Sequence, residues 1–68
     1  MAQGTVKWFN PTKGYGFIQP DAGGDDVFVH VTAVEQAGLS GLEENQKVSY
    51  ELVTSKGRTS AGELKLVS

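Results

Sequence analysis

Residues 13–18 read Lys-Gly-Tyr-Gly-Phe-Ile, and residues 27–31 read Val-Phe-Val-His-Val. Alternate side chains of an extended strand share a face, so Tyr15 and Phe17 point to the same side of the first segment. In the second segment Phe28 and His30 share one face, and the valines share the other. The two segments therefore predict neighbouring strands, each with a ring-bearing face and an aliphatic face.

Three further segments have strand character, and turn-forming residues separate all five. Residues 5–9 are rich in strand formers and end at Asn10-Pro11, while residues 46–53 and 63–66 alternate apolar and polar side chains. Five short strands whose edges need protection favour an all-β, five-stranded antiparallel barrel. The side chains expected to face inward from the last two strands are Val48, Tyr50, Leu52, Leu64 and Leu66.

A short helical turn is expected after the third strand. Residues 32–35 read Thr-Ala-Val-Glu, which has the spacing of a capping box, and Gly38 ends the helix after one or two turns. The connection that follows is long, and we expect Leu39 and Leu42 to lie beneath the barrel.

The length and composition of the chain restrict the class of protein. With 68 residues the chain is expected to form one domain, residues 1–68. It has no cysteine and one histidine, so disulfides, thiolate metal sites and histidine clusters are excluded, and we expect no cofactor and no metal. Neither a signal-peptide pattern nor a long apolar run is present, so we expect a cytoplasmic protein without membrane contact.

The charge is unevenly distributed along the chain. The formal net charge is −2, which is unusual for a protein that binds phosphates. Residues 1–20 contain two lysines and no acid, whereas residues 21–44 contain six acids and no Lys or Arg. Binding to phosphates would therefore depend on a local positive field.

The rings of the second and third strands could belong to the core or to the surface. Val6, Ile18 and the valines of residues 27–31 already provide an aliphatic face, while the ring face also carries His30 and lies near Lys7 and Lys13 in the sequence. Burial of such polar and charged groups is costly, so we expect the rings to be exposed. Gly14 and Gly16 leave room for backbone or ligand to approach between the rings, or mark a bulge or barrel-corner bend, and both interpretations can hold together.

Residues 13–18 resemble the first ribonucleoprotein motif, and residues 27–31 resemble the second. With Lys7-Trp8-Phe9-Asn10 upstream, they make the chain similar to the bacterial cold-shock proteins from about residue 3 to about residue 67. The resemblance implies an OB-fold barrel that binds single-stranded RNA or DNA on strands one to three. It also implies an RNA chaperone that melts weak structure in messages, and a possible regulator of transcription or translation in the cold.

The resemblance also implies site residues, position by position. The family's base-stacking residues correspond to Trp8, Tyr15, Phe17, Phe28 and His30. Phe9 corresponds to a position at the edge of the site, and Lys7 and Lys13 correspond to positions that contact the nucleic-acid strand. Asn10 and Asp26 correspond to polar positions that reach base edges or order the neighbouring turn.

The sequence departs from the family in three places. Val31 stands where an aromatic usually follows the histidine, and Leu39 stands where many members have a loop aromatic. Residues 56–60 read Lys-Gly-Arg-Thr-Ser, where a Gly-Pro sequence is usual. We expect fewer stacking positions near His30. Arg58 either compensates by a cation–π or phosphate contact or is a solvated loop residue.

Two other classes of function were weighed. An enzyme is disfavoured because a lone histidine and scattered acids provide no catalytic set, and Asp25-Asp26 is a weak candidate for an acid or metal pair. A barrel that grips proline-rich peptides would also expose rings. Lysines near the rings, with the acids elsewhere, favour single-stranded nucleic acid as the partner of a monomer that takes no small-molecule substrate.

Overall fold

A computed structural model describes residues 2–67, except for the side chain of Ser55. The elements, in chain order, are β1 (Ala2–Asn10), β2 (Tyr15–Pro20), β3 (Val27–His30), α1 (Val31–Gln36), β4 (Lys47–Ser55) and β5 (Arg58–Leu66). All five expected strands are present. The largest difference is in β5, which begins at Arg58 rather than at Glu63, because residues 58–62 pair with β4 instead of forming a loop.

The strands form a closed barrel in the order β1-β2-β3-β5-β4. The expectation of a purely antiparallel barrel is corrected at one seam, since β3 and β5 run parallel where Phe28 pairs with Ser60. The connection after β3 carries the chain to the far side of β1, where β4 pairs antiparallel with it. Because β5 then turns back along β4, it runs in the direction of β3.

The barrel interior is aliphatic apart from Tyr50. Val6, Ile18 and Val29 are fully buried, and Tyr50 is 1% exposed. Val34 from α1 and Leu42 from the long connection close one end, as expected for Leu42, and Leu39 packs against the same cluster. The complete set of buried hydrophobic side chains is Val6, Ile18, Val27, Val29, Val34, Leu42, Val48, Tyr50, Ala61 and Leu64.

Two expected core residues are not in the core. Leu52 is 58% exposed because β4 pairs with β1 only as far as Tyr50, so Leu52 belongs to the part of the β4–β5 hairpin that extends beyond β1. Leu66 is 50% exposed at the last position of β5. Alternation predicted correctly that Leu52 and Leu66 lie on the same face of β4 and β5 as the core residues. It did not predict the point along these strands at which the barrel ends.

Helix α1 begins two residues earlier than the sequence predicts, and its cap is different. His30 is the N-cap, and its Nδ1 accepts a hydrogen bond of 3.2 Å from the backbone N–H of Thr32. The capping box starting at Thr32 is therefore wrong, and Val31 begins the helix instead of extending β3. Across residues 2–67 no helix has the length and apolar content needed to cross a membrane.

A β-bulge in β1 aligns the ring face. The register changes between the pairs Val6↔Ile18 and Trp8↔Phe17, so Lys7 is the extra residue and both Lys7 and Trp8 are exposed. Gly16 lies against this bulge, and a Cβ on it would be 2.4 Å from the Trp8 carbonyl oxygen. For Gly16 both interpretations hold, since the backbone of β1 approaches it closely and the bulge lies beside it. Gly14, with φ +83°, occupies the turn before β2.

We expect Gly16→Ala to destabilise the protein by about 1–3 kcal/mol, because β1 must move to admit the methyl group. Gly41→Ala is the matched control, since a Cβ at Gly41 meets nothing within 4 Å. Urea unfolding of both variants measures the difference. Equal free energies of unfolding for the two variants would contradict the close approach of β1 to Gly16.

A second prediction concerns alkaline pH. Burial raises the pKa of the Tyr50 hydroxyl above its ordinary value of 10.0, and the Asp21 carboxylate adds to the effect. Because the folded-state pKa is raised, this contribution to stability is complete below about pH 10 and is lost as the pH rises through the raised value. Thermal unfolding between pH 8 and pH 11.5 should show a steeper loss for the unsubstituted protein than for Tyr50→Phe. If the two proteins lose stability equally between pH 8 and pH 11.5, the raised pKa of Tyr50 is contradicted.

Candidate functional site

Two rows of side chains cross the outer surface of strands β1 to β3. Directly paired residues of neighbouring strands share a face, and Trp8 pairs with Phe17, which pairs with Phe28. We call Trp8, Phe17 and Phe28 the first row. The second row consists of Asn10, Tyr15 and His30, which are paired in the same way. All five predicted stacking residues thus come together on one face.

The rings of the two rows contact one another. The ring centroids of Trp8 and Phe17 are 5.3 Å apart, and those of Phe17 and Phe28 are 5.9 Å apart, both in edge-to-face geometry. Tyr15 and Phe28 are stacked at 5.8 Å with an interplanar angle of 24°. The His30 ring lies 6.4 Å from that of Phe28. These contacts hold the rings in place and leave their outer surfaces open.

The ring face lies outside the core, as expected. Trp8 is 40% exposed, His30 is exposed, and Tyr15, Phe17 and Phe28 are half-buried against one another and the sheet. Their neighbours along the strands, Ile18, Val27 and Val29, are buried on the opposite face. Phe9 is the exception among the predicted residues, because it pairs with Gly16 and packs against the core.

An ion pair borders the first row. The Lys7 ammonium is 3.0 Å from a carboxylate oxygen of Asp26, and both side chains are partly exposed. An exposed pair of this kind contributes about 0–1 kcal/mol, so an incoming anion can replace the carboxylate at little cost. Asp25 is exposed, and no cluster of three or more potential metal ligands occurs among the residues that the structure describes.

Asn10 organises the turn beside the second row. Its side-chain oxygen accepts hydrogen bonds from the backbone N–H groups of Thr12, at 3.0 Å, and Lys13, at 3.1 Å. Of the two roles that the resemblance implied for Asn10, this geometry corresponds to ordering the turn. The turn carries the exposed side chain of Lys13, which is two residues before Tyr15.

The cap of α1 fixes the chemistry of the His30 ring. Since Nδ1 accepts from the Thr32 backbone N–H, the neutral ring carries its proton on Nε2. Nδ1 is also 2.9 Å from the Thr32 hydroxyl. Nε2–H is therefore left as a hydrogen-bond donor on an exposed ring of the second row.

Ser60 and Val53, which were not among the predicted site residues, extend the first row. Phe28 pairs with Ser60, and Ser60 pairs with Val53, so the row continues across β5 to β4. Arg58 is exposed and lines a pocket of about 450 Å³ together with Phe28, Thr59 and Ser60. The alternation of Arg58 and Ser60 could have indicated this extension if β5 had been assigned its full length.

The chain resembles known proteins over nearly its whole length. Residues 2–67 match the family described as 'Cold-shock' DNA-binding domain. The chain is 64% identical over 66 residues to the probable cold shock protein y4cH of Sinorhizobium fredii, which covers 94% of this chain and 96% of that protein. It is 60% identical over 67 residues to the cold shock protein CspA of Rhizobium meliloti, covering 96% and 97% of the two chains. Identity to the cold shock protein CspB of Geobacillus stearothermophilus is 52% over 67 residues, covering 97% and 100%.

Proposed function

The chain belongs to the 'Cold-shock' DNA-binding domain family, and we propose that it binds single-stranded RNA or DNA by stacking bases on the outer rings of β1 to β3. The observation that carries the proposal is the exposed face on which Trp8, Phe17, Phe28, Tyr15 and His30 are adjacent.

The energetics of stacking support this proposal. Each base stacked on an aromatic side chain contributes roughly 1–3 kcal/mol, with little dependence on sequence. Paired bases in a duplex have their faces covered, so a stacking surface selects single strands. Ring-to-ring contacts such as that between Tyr15 and Phe28 hold the side chains of the two rows in place before the ligand binds. This reduces the conformational entropy lost on binding.

The distribution of charge supports phosphate contacts despite the net charge of −2. Lys7 and Lys13 are exposed beside the two rows, and we propose that they contact phosphates. Lys7 would exchange Asp26 for a phosphate oxygen, and Asp26 would then be free to accept from a base edge. The same face would bind a proline-rich peptide less well, because such ligands gain nothing from these lysines.

The cellular role that we propose follows from binding without strong sequence preference. A protein that holds unpaired bases shifts the equilibrium of weakly paired RNA toward the open form, which is the action of an RNA chaperone. By opening weakly paired segments of messages it would also regulate transcription or translation, in particular in the cold. We propose that it acts as a monomer in the cytoplasm, without catalysis or a small-molecule substrate.

Removing single rings tests the stacking surface. Phe17→Ala and Phe28→Ala should each weaken binding of a thymidine heptanucleotide by about 5–150-fold, the equivalent of roughly 1–3 kcal/mol. Quenching of Trp8 fluorescence measures the affinity, and circular dichroism checks the fold. Leu66→Ala is the control, since Leu66 is an exposed apolar residue away from the two rows. Unchanged affinity in both ring variants, or preference for duplex over single strand, would refute the proposal.

Salt dependence tests the phosphate contacts. If three or four phosphates are neutralised, the logarithm of the association constant should fall with the logarithm of the salt concentration with a slope of roughly −2 to −3. Titrations of the same heptanucleotide at several sodium chloride concentrations measure the slope. A slope near zero would argue for the peptide-binding alternative.

A further inference from the structure

The first row changes its chemistry between β3 and β5. Trp8, Phe17 and Phe28 present rings, whereas the next paired residue is Ser60. Neighbouring strands are about 4.8 Å apart, so the Ser60 hydroxyl lies one strand beyond the Phe28 ring on the same face. A pocket of about 450 Å³ at this place is lined by Phe28, Arg58, Thr59 and Ser60.

Arg58 is placed to face the same pocket. It lies two residues before Ser60 in β5, in a segment that pairs regularly with β4, so the two side chains share the outer face. The ion pairs among the described side chains are Lys7–Asp26 and Lys47–Asp21, and neither involves Arg58. The Thr59 hydroxyl lies 3.4 Å from that of Thr54. Arg58 and Ser60 therefore supply the donors for a ligand in the pocket.

We propose that this pocket binds one guanine base of the single strand and that Arg58 determines this preference. The inference rests on the proposed function and adds base selectivity to it at one position. A base stacked against Phe28 directs its edge toward β5, where Arg58 and Ser60 lie.

The donor pattern selects guanine over the other bases. Guanine presents two adjacent acceptors, O6 and N7, which a guanidinium group binds with two parallel hydrogen bonds. Adenine and cytosine place an amino donor on that edge, which the guanidinium group repels, and thymine and uracil present a single carbonyl there. Ser60 can donate or accept and so adds a contact without opposing the selection.

A positional scan of heptanucleotides tests the proposal. In each oligonucleotide a single guanine replaces one thymine of a thymidine heptamer, and Trp8 fluorescence reports the affinity of each. Guanine at one position, or at two adjacent positions, should bind about 5–150-fold more tightly than thymine, the equivalent of roughly 1–3 kcal/mol. The preference should persist at high salt, although all affinities fall, because it does not depend on phosphate contacts.

Variants of Arg58 identify the source of the preference. Arg58→Ala should remove the preference for guanine, and Arg58→Gln should transfer it to adenine at the same position, because a glutamine amide matches N6 and N7 of adenine. Lys56→Asn is the matched control: it removes a charge from the same hairpin, at a φ of 52° that asparagine tolerates, and should leave the preference intact.

The outcomes are distinct. A guanine preference that survives Arg58→Ala would overturn the assignment, as would an Arg58→Ala variant that binds all heptamers more weakly by one common factor, since Arg58 would then contact a phosphate. If the unsubstituted protein binds neither the thymidine heptamer nor any guanine-containing heptamer, the proposed function itself fails, and the assignment fails with it.

Discussion

The separation of side chains between the two faces of a closed barrel is the constraint on which this structure depends. Ile18, Val27 and Val29 occupy the interior, and their neighbours along the strands, Phe17 and Phe28, must then point outward. A barrel of five strands encloses little volume, and the aliphatic side chains together with Tyr50 already fill it, so it cannot also accommodate the rings of β2 and β3. The outer aromatic face is therefore a geometric consequence of how the core is filled.

A bulge and a glycine complete this face. If β1 paired with β2 without a bulge, regular alternation from the inward-facing Val6 would point Trp8 inward. Trp8 could then not pair with Phe17 on the outside. Gly16 allows β1 to approach β2 closely at that point. One local irregularity thus places the Trp8 ring on the outer surface beside the exposed Lys7, in a protein whose overall charge is negative.

The parallel seam between β3 and β5 extends the surface beyond the three strands that carry the rings. It brings Ser60 and Arg58 from the end of the chain next to Phe28. The departure of residues 56–60 from the family pattern consequently lies beside the platform, where it can change how bases are recognised. Ring positions provide affinity with little selectivity, while a polar pocket at the end of the row can provide selectivity at one position.

The sequence alone determined the five strands, the outer face of the rings in β2 and β3 and most of the core, because alternation is a local property and the ring face also carries His30 and lies near Lys7 and Lys13 in the sequence. It also determined the family, through motifs that lie close together in the chain. Tertiary structure decided what depends on distant partners. Examples are the direction of β5 relative to β3, the exposure of Leu52 beyond the end of β1, and the use of His30 rather than Thr32 as the helix cap. Only pairing between strands far apart in sequence could place Arg58 in a pocket with Phe28, since no local pattern encodes that contact.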